Sequence, residues 1–300
     1  MADFRSWIEA ARLRTLPLAT ASILMGGAVA AHQGQFRADI FWLALGTALS
    51  LQILANLAND YGDFLKGADS PDRVGPHRGL QSGSIRPREM VLAIGINVLI
   101  CALLGVPLIY RGFGAVWQGA ALLFSLLGMA AIGAAIAYTV GKKPYGYVGL
   151  GDAFVFLFFG PVAVLGVVAL MGGRVIPWPV LPAVVMGLYS VGVLNINNMR
   201  DRQTDARTGK RTLPVRLGER GAKVYHFGVI TTASVCMSVY ILHELHPGWK
   251  SGFLWALLLG LWLNQSLMLR KPAPSIDPYL RQLSLGTLAL AVFTFFLIRG

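Results

Sequence analysis

The chain has 300 residues, 55% of them hydrophobic and only 13% charged, with 26 Lys plus Arg against 14 Asp plus Glu. A soluble globular domain carries about 25% charged residues, so this composition excludes one. The formal net charge of +12 would suit a nucleic-acid partner, but its placement along the chain, described below, argues against one.

Nine apolar runs of roughly the ~20 residues a bilayer crossing needs occupy about 16–34, 39–58, 91–110, 115–139, 148–171, 177–198, 224–243, 251–269 and 282–298. They predict an all-α, polytopic membrane bundle of nine transmembrane helices. No stretch is rich enough in Ser, Pro or charge to serve as a linker, so residues 1–300 read as a single domain. The residues before the first run include Asp3, Trp7 and Glu9 and form an amphipathic segment. Arg12 and Arg14, the apolar run and Ala28-Val29-Ala30 have the outline of a signal peptide. A retained first span is nevertheless expected, because the leader is amphipathic rather than short and basic. Gly172-Gly173-Arg174 with Pro177 separates the fifth and sixth spans.

Positive charge orients the bundle. With the N-terminus placed in the cytoplasm, 21 of the 26 Lys and Arg fall on cytoplasmic segments, leaving Arg37, Arg111, Arg174, Lys250 and Arg299 outside. Adding or removing one middle span would scramble this bias. The two longest loops, about 59–90 and 199–223, are separated by four spans. An even number of crossings returns both to the same face.

Both loops open on an acidic motif. The first reads Asn59-Asp60-Tyr61-Gly62-Asp63, with Lys66, Asp69, Asp72 and Arg73 following; the second reads Asn197-Asn198-Met199-Arg200-Asp201, with Asp205 after it. Residues four apart share one helix face. If the spans continue past the membrane surface, Asn59 aligns with Asp63, and Asn197 with Asp201 and Asp205. Asp63, Asp69, Asp201 and Asp205 with Asn59 and Asn197 are hard oxygen donors, the type magnesium takes together with substrate phosphates. Lys66, Arg73, Arg78, Arg200 and Lys210 flank them and are phosphate-binding residue types. The plainer reading of these cations is a solvated loop that anchors the topology. The acidic spacing does not match an EF-hand, and neither a Walker A nor a GxGxxG loop is present.

Lys142-Lys143-Pro144-Tyr145 opens the third cytoplasmic loop. Lys143 is a candidate diphosphate ligand, and Tyr138 and Tyr145 are candidates to face a cation or an aromatic ring; an interfacial belt of Tyr and Lys is the alternative. Asp152, an acid at a span entrance, is a candidate catalytic group alongside Asp63, Asp201 and Asp205, or a helix cap. Asn195, polar within an apolar span, is a candidate to bond either a neighbouring helix or a substrate. His243-Glu244-Leu245-His246 lacks HExxH spacing and reads as loop. Cys101 and Cys236 sit inside apolar runs and read as small hydrophobes. Glycines within the spans permit close helix packing.

These motifs resemble the UbiA superfamily of intramembrane aromatic prenyltransferases, and within it the branch that makes menaquinone. The likeness rests on Asn59-Asp60-Tyr61-Gly62-Asp63 with Lys66-Gly67 and Asp69, and on Asp72-Arg73 with Gly75-Pro76. It also rests on Tyr145-Gly146-Tyr147 with Gly149-Leu150-Gly151-Asp152, on Asn197 to Asp201 with Asp205, and on Gly209-Lys210 with Thr212-Leu213 and Val215-Arg216-Leu217-Gly218. It runs from about Trp7 to beyond the second motif; the last three spans add little but hydrophobicity. Gly67 departs from the superfamily's general third acidic position, and Asp69 stands where the menaquinone branch places it. The resemblance implies a bundle around a central cavity, open sideways to lipid, in a bacterial cytoplasmic (inner) membrane. It also implies magnesium-dependent transfer from a polyprenyl diphosphate to 1,4-dihydroxy-2-naphthoate, with loss of carbon dioxide and diphosphate. Close alternatives are 4-hydroxybenzoate or homogentisate as acceptor. From other classes, the rivals are a secondary transporter or divalent-cation carrier and a lipid-diphosphate binder. A transporter's ionisable groups belong near the bilayer midplane, whereas these cluster at one face. Tail length and oligomeric state are not written in the motifs.

Overall fold

The structure, a computed structural model, describes residues 3–67, 78–245, 248 and 251–299. Asp69 and Arg73 lie outside the described residues. Among the described residues every regular element is a helix. A short helix α1 (Phe4–Ala11) opens on Asp3, whose carboxylate accepts from the Ser6 backbone N–H at 2.9 Å, and it stops at Arg12, which adopts a left-handed conformation with φ 50°. After one 3-10 turn (Leu13–Thr15), α2 (Leu16–His32) starts with Pro17 in its first turn, where the missing N–H costs nothing.

Helix α3 (Ala38–Leu65) has 28 residues, about 42 Å at 1.5 Å per residue, so it projects beyond a hydrocarbon layer of about 30 Å. Its last turns carry Asn59 and Asp63 as one continuous helix. Helices α4 (Pro87–Phe113) and α5 (Gly119–Ala137) follow. Next come α6 (Gly151–Leu157), a π-helical stretch (Phe158–Leu165) and α7 (Gly166–Leu170), which together make one span. Pro161 sits inside the π stretch, where the widened helix absorbs the hydrogen bond a proline cannot donate. Helix α8 (Val180–Arg200) ends at the second motif, α9 (Arg202–Arg207) continues it, and α10 (Leu213–Tyr240) contains a break at Gly218, φ 70°. Helices α11 (Gly252–Met268) and α12 (Asp277–Arg299) complete the chain.

Among the described residues eight helices are long and apolar enough to cross a membrane, and α11, at 17 residues, is a shorter ninth. The chain is a multi-pass membrane protein. Helices α2 and α8 form its centre. Helix α12 packs on α2, α10 on α8, and the π stretch against both α8 and α2. Of the most apolar segment of α8, 67% is buried, against 11% for α5. The outward Leu122, Leu123, Leu126 and Met129 of α5 make the surface that acyl chains would cover. His243 lies not in a loop but in a π-helical turn (Ile241–Leu245) that continues α10, stacked on Trp178 at 4.5 Å between ring centroids.

Candidate active site

A cavity of about 690 Å³ runs between α2, α3, α5, the π stretch and α8. Its depth is apolar, walled by Leu18, Ile23, Leu51, Phe158, Phe159 and Val162. Its mouth is charged and is built from both acidic motifs at once: Asn59 and Asp63 from α3, and Asn197, Asp201, Asp205 and Lys210 from the segment around α9. The two motifs therefore face one space, which their return to the same face after an even number of spans makes possible.

The geometry around Asp63 is dense. Its Oδ1 accepts from the Tyr147 hydroxyl at 2.9 Å and its Oδ2 from Arg78 Nη1 at 2.8 Å. Lys210 Nζ stands 3.9 Å from Asp63 Oδ2 and 4.0 Å from Asp205 Oδ1, so one ammonium lies between the two motifs. Lys210 and Lys66 also sit over the Tyr147 ring, at 5.4 and 5.3 Å from its centroid. Burial, then the Asp63 charge, pushes the Tyr147 phenol well above its ordinary value, so it remains a protonated donor. Burial does the same for Tyr138 and Tyr145.

Local sequence explains how Tyr147 reaches its place. Gly62 has no side chain, and Thr139 fills the space. A Cβ at position 62 would lie 2.5 Å from Thr139 Oγ1 and 2.6 Å from its carbonyl carbon. The Thr139 hydroxyl donates to the Ala58 carbonyl at 3.0 Å. The chain then turns through a 3-10 segment (Tyr145–Val148), and the Tyr147 carbonyl accepts from the Arg211 backbone N–H at 2.9 Å. The loop between α5 and α6 is thus clasped between the first motif and the loop after the second.

At the second motif the helix bends rather than continuing straight. Asp201 caps α8 and leads into α9, with the Asp205 N–H donating to the Asp201 carbonyl at 2.9 Å. Asn197, Asp201 and Asp205 still share the cavity mouth. Both Asp201 oxygens accept from Arg200, at 2.8 Å from Nε and 2.7 Å from Nη2; Nη2 also donates to Asn197 Oδ1 at 2.9 Å, and Nη1 is bonded to Asp277.

Of the residues singled out from sequence, Asn59, Asp63, Arg78, Tyr138, Tyr145, Asn197, Asp201, Asp205 and Lys210 line the one cavity. Tyr145 stacks on Phe154 at 4.1 Å and meets Tyr138 edge-on at 5.3 Å. The structure does not bring five others to that wall. Arg200 has its guanidinium engaged with Asp201, Asn197 and Asp277. Lys66 donates to the Gly141 carbonyl at 3.2 Å, and Lys143 is exposed. Asp152 is buried beside Tyr225. Asn195 is fully buried within α8, and its amide has no hydrogen-bond partner among the described residues. Sequence reading gave no role to Tyr147, Asp60 or Asp277, and gave Arg12 and Arg14 no part in the site. The last-span Asp277 carried one faint signal, an acid on the motif-bearing face.

Magnesium, which the motif chemistry implies, can be tested against these side chains. Among the described residues no group of three or more His, Cys, Asp or Glu is placed to hold a metal ion. Magnesium needs only one or two carboxylates when phosphate oxygens and waters complete its shell. The Asn59 Oδ1, buried at the mouth without a hydrogen-bond partner among the described residues, is an acceptor of the hard type such an ion takes. The donor set therefore fits a metal that arrives with the diphosphate.

Fold and site define an intramembrane helical protein with a charged mouth over an apolar chamber. The chain belongs to the UbiA prenyltransferase family, whose profile matches residues 19–284. Among its relatives is a 1,4-dihydroxy-2-naphthoate octaprenyltransferase of Escherichia coli K12, 45% identical over 87% of this chain and 84% of the relative. Proteins of that name from Haemophilus influenzae and Mycobacterium tuberculosis are 39% and 41% identical. They cover 96% and 81% of this chain, and 94% and 80% of the relatives. Among solved structures, an apo UbiA homologue from Aeropyrum pernix K1 aligns with TM-score 0.66 at 17% identity, over 94% of this chain and 96% of that one. A homologue from Archaeoglobus fulgidus bound to DMAPP and Mg2+ also gives 0.66, at 14% identity, over 96% and 98%. At such identities the structural likeness speaks for the fold alone.

Proposed function

We propose that this protein transfers a polyprenyl chain from its diphosphate to 1,4-dihydroxy-2-naphthoate. The observation that carries the reading is the meeting of both acidic motifs, with Lys210 between them, at the mouth of one apolar cavity. The relatives' names supply the acceptor.

Asn59, Asp63, Asp201 and Asp205, with Asn197 and Asp69, would hold the metal. Bound magnesium supplies neutralisation of the charge that grows on the leaving diphosphate. Lys210 and Arg78 bring fixed positive charge to the same place and need no reorganisation as the bond breaks. Tyr147 fixes the orientation of the Asp63 carboxylate. The allylic C–O bond ionises, and the apolar chamber keeps water from the carbocation. Tyr138, Tyr145, Phe154 and Phe158 present aromatic rings along its wall, whose faces stabilise a cation. Diphosphate departs in that ionisation; the electron-rich naphthoate ring then attacks the cation and its carboxylate is lost as carbon dioxide, which leaves both ring hydroxyls in place and gives the quinol form of demethylmenaquinone. The charge bias of the loops supports a cytoplasmic mouth and N-terminus in a bacterial inner membrane.

The test is to give purified protein a common prenyl diphosphate together with 1,4-dihydroxy-2-naphthoate, 4-hydroxybenzoate and homogentisate, and to weigh the products. A decarboxylated, prenylated 1,4-naphthalenediol, collected as such or as the quinone it forms in air, is expected with magnesium and none with a chelator. Prenylation of only one of the other two acids would overturn the choice of acceptor, and ion flux without any prenyl transfer would overturn the enzyme class.

A further inference from the structure

One carboxylate of each motif, Asp63 in the first and Asp201 in the second, is gripped by an arginine, and each of those arginines also contacts a second carboxylate. In the first motif Arg78 Nη1 holds Asp63 at 2.8 Å while its Nε lies 3.2 Å from Asp60 Oδ1. In the second, Arg200 holds both oxygens of Asp201 while its Nη1 is bonded to Asp277. The second carboxylates run back to a single three-residue stretch: Arg12 is bonded to Asp60, and Arg14 Nη1 stands 3.6 Å from Asp277. Asp63 and Asp201 line the cavity; Asp60 and Asp277 do not. The two motifs thus carry matching chains of alternating charge, each ending on residues 12–14.

A metal ion and a guanidinium compete for the same carboxylate oxygens. For Asp63 and Asp201 to take up a metal on the diphosphate, Arg78 and Arg200 must loosen their hold. Arg78 is 6% exposed and Arg200 5%, so water cannot take over, and a buried guanidinium stripped of its carboxylate is strongly unfavourable. A second carboxylate already in contact removes that obstacle. We propose that Asp60 and Asp277 are positioning residues that retain Arg78 and Arg200 when metal-bound diphosphate claims Asp63 and Asp201, with Arg12 and Arg14 holding the two retainers in register. This rests on reading the motifs as a metal–diphosphate site.

The experiment uses the full-length purified protein and measures retention of radiolabelled inorganic pyrophosphate as free magnesium is raised. The set is the unmodified protein, Asp277→Asn, Asp277→Glu and Asp60→Asn. Asparagine keeps the shape and removes the charge, so Arg200 keeps its bond to the neutral Asn197 amide but has Asp201 as its one remaining charged partner among those contacts, and gives it up less readily. Half-saturating magnesium is expected to rise about five- to tenfold in Asp277→Asn and in Asp60→Asn, a change of roughly 1–1.4 kcal/mol. Asp277→Glu is expected to restore it to within about twofold, since a charged acceptor returns. A residue that only supports folding would lower the amount of pyrophosphate retained at saturation without moving the midpoint, and that result would overturn the retainer role. An unmoved midpoint in Asp277→Asn would overturn it as well. The half-exposed Asp277 tolerates asparagine at a helix start, which keeps the test open even where the buried Asp60 variant fails to fold. Absence of magnesium-dependent retention by the unmodified protein would instead bring down the metal–diphosphate reading, and the retainer role with it.

Discussion

Replacing Gly62 by alanine tests how closely the first motif is tied to the loop between α5 and α6. The added Cβ would sit 2.5 Å from Thr139 Oγ1 and 2.6 Å from both its Cβ and its carbonyl carbon. Carbon atoms in contact rest about 3.5–4.0 Å apart, so helix α3 and residue 139 must separate by about 1 Å. Overpacking of this kind costs typically 1–3 kcal/mol, and the upper end is expected because one of the three atoms belongs to the backbone. The displacement is also passed along the chain to Tyr147, whose hydroxyl holds Asp63. Gly62→Ala should therefore lower the thermal unfolding midpoint of the purified protein by several degrees and reduce prenyl transfer by more than the lost folded fraction. Adding Thr139→Ala removes the hydroxyl and leaves the Cβ and carbonyl contacts, so Gly62→Ala/Thr139→Ala should remain impaired. Full recovery in the double variant, or an unperturbed single variant, would refute the close-approach reasoning.

Other outcomes follow from the same geometry. Asp63→Ala and Asp201→Ala should each reduce turnover by about 10²-fold or more, as loss of a charge-stabilising group does, while membrane fractions still contain the protein at normal abundance. Lys210→Met removes the ammonium between the motifs; a charge-assisted contact contributes about 1.5–3 kcal/mol, so the KM for the prenyl diphosphate should rise on the order of tenfold or more, measured at saturating acceptor. Tyr147→Phe loses one hydrogen bond to Asp63 and should slow turnover about fivefold, in line with roughly 1 kcal/mol. The sign of the pH response also follows. Burial raises the phenol's ionisation above its ordinary value. An unfolded tyrosine ionises near pH ~10, so folding stability from this group is intact below that pH and falls above it as only the unfolded chain gives up its proton. A thermal-melt series from pH 7 to above pH ~10 should show that late fall reduced in Tyr147→Phe.

The membrane class, the number of spans and the placement of two acidic loops on one face are properties of order along the chain. Apolar runs, charge bias and a four-residue spacing are all local, and they are legible because bilayer thickness and helix pitch are fixed. The same locality explains why Asn59 and Asp63 stayed on one helix as the spacing suggested, while the bend at Asp201 was invisible: a helix cap depends on what receives the chain next. Arg200 sits next to Asp201 in sequence and looked like a cation for substrate. Only the arrival of Asp277, 77 residues away, shows that its charge is already committed. Tyr147 meets Asp63 across 84 residues, and Lys210 falls between Asp63 and Asp205 because α8 and α3 wall one cavity. Such pairings are set by which helices pack against α2 and α8, and that choice is made by buried shape and volume across the whole bundle, a quantity no single stretch of sequence contains.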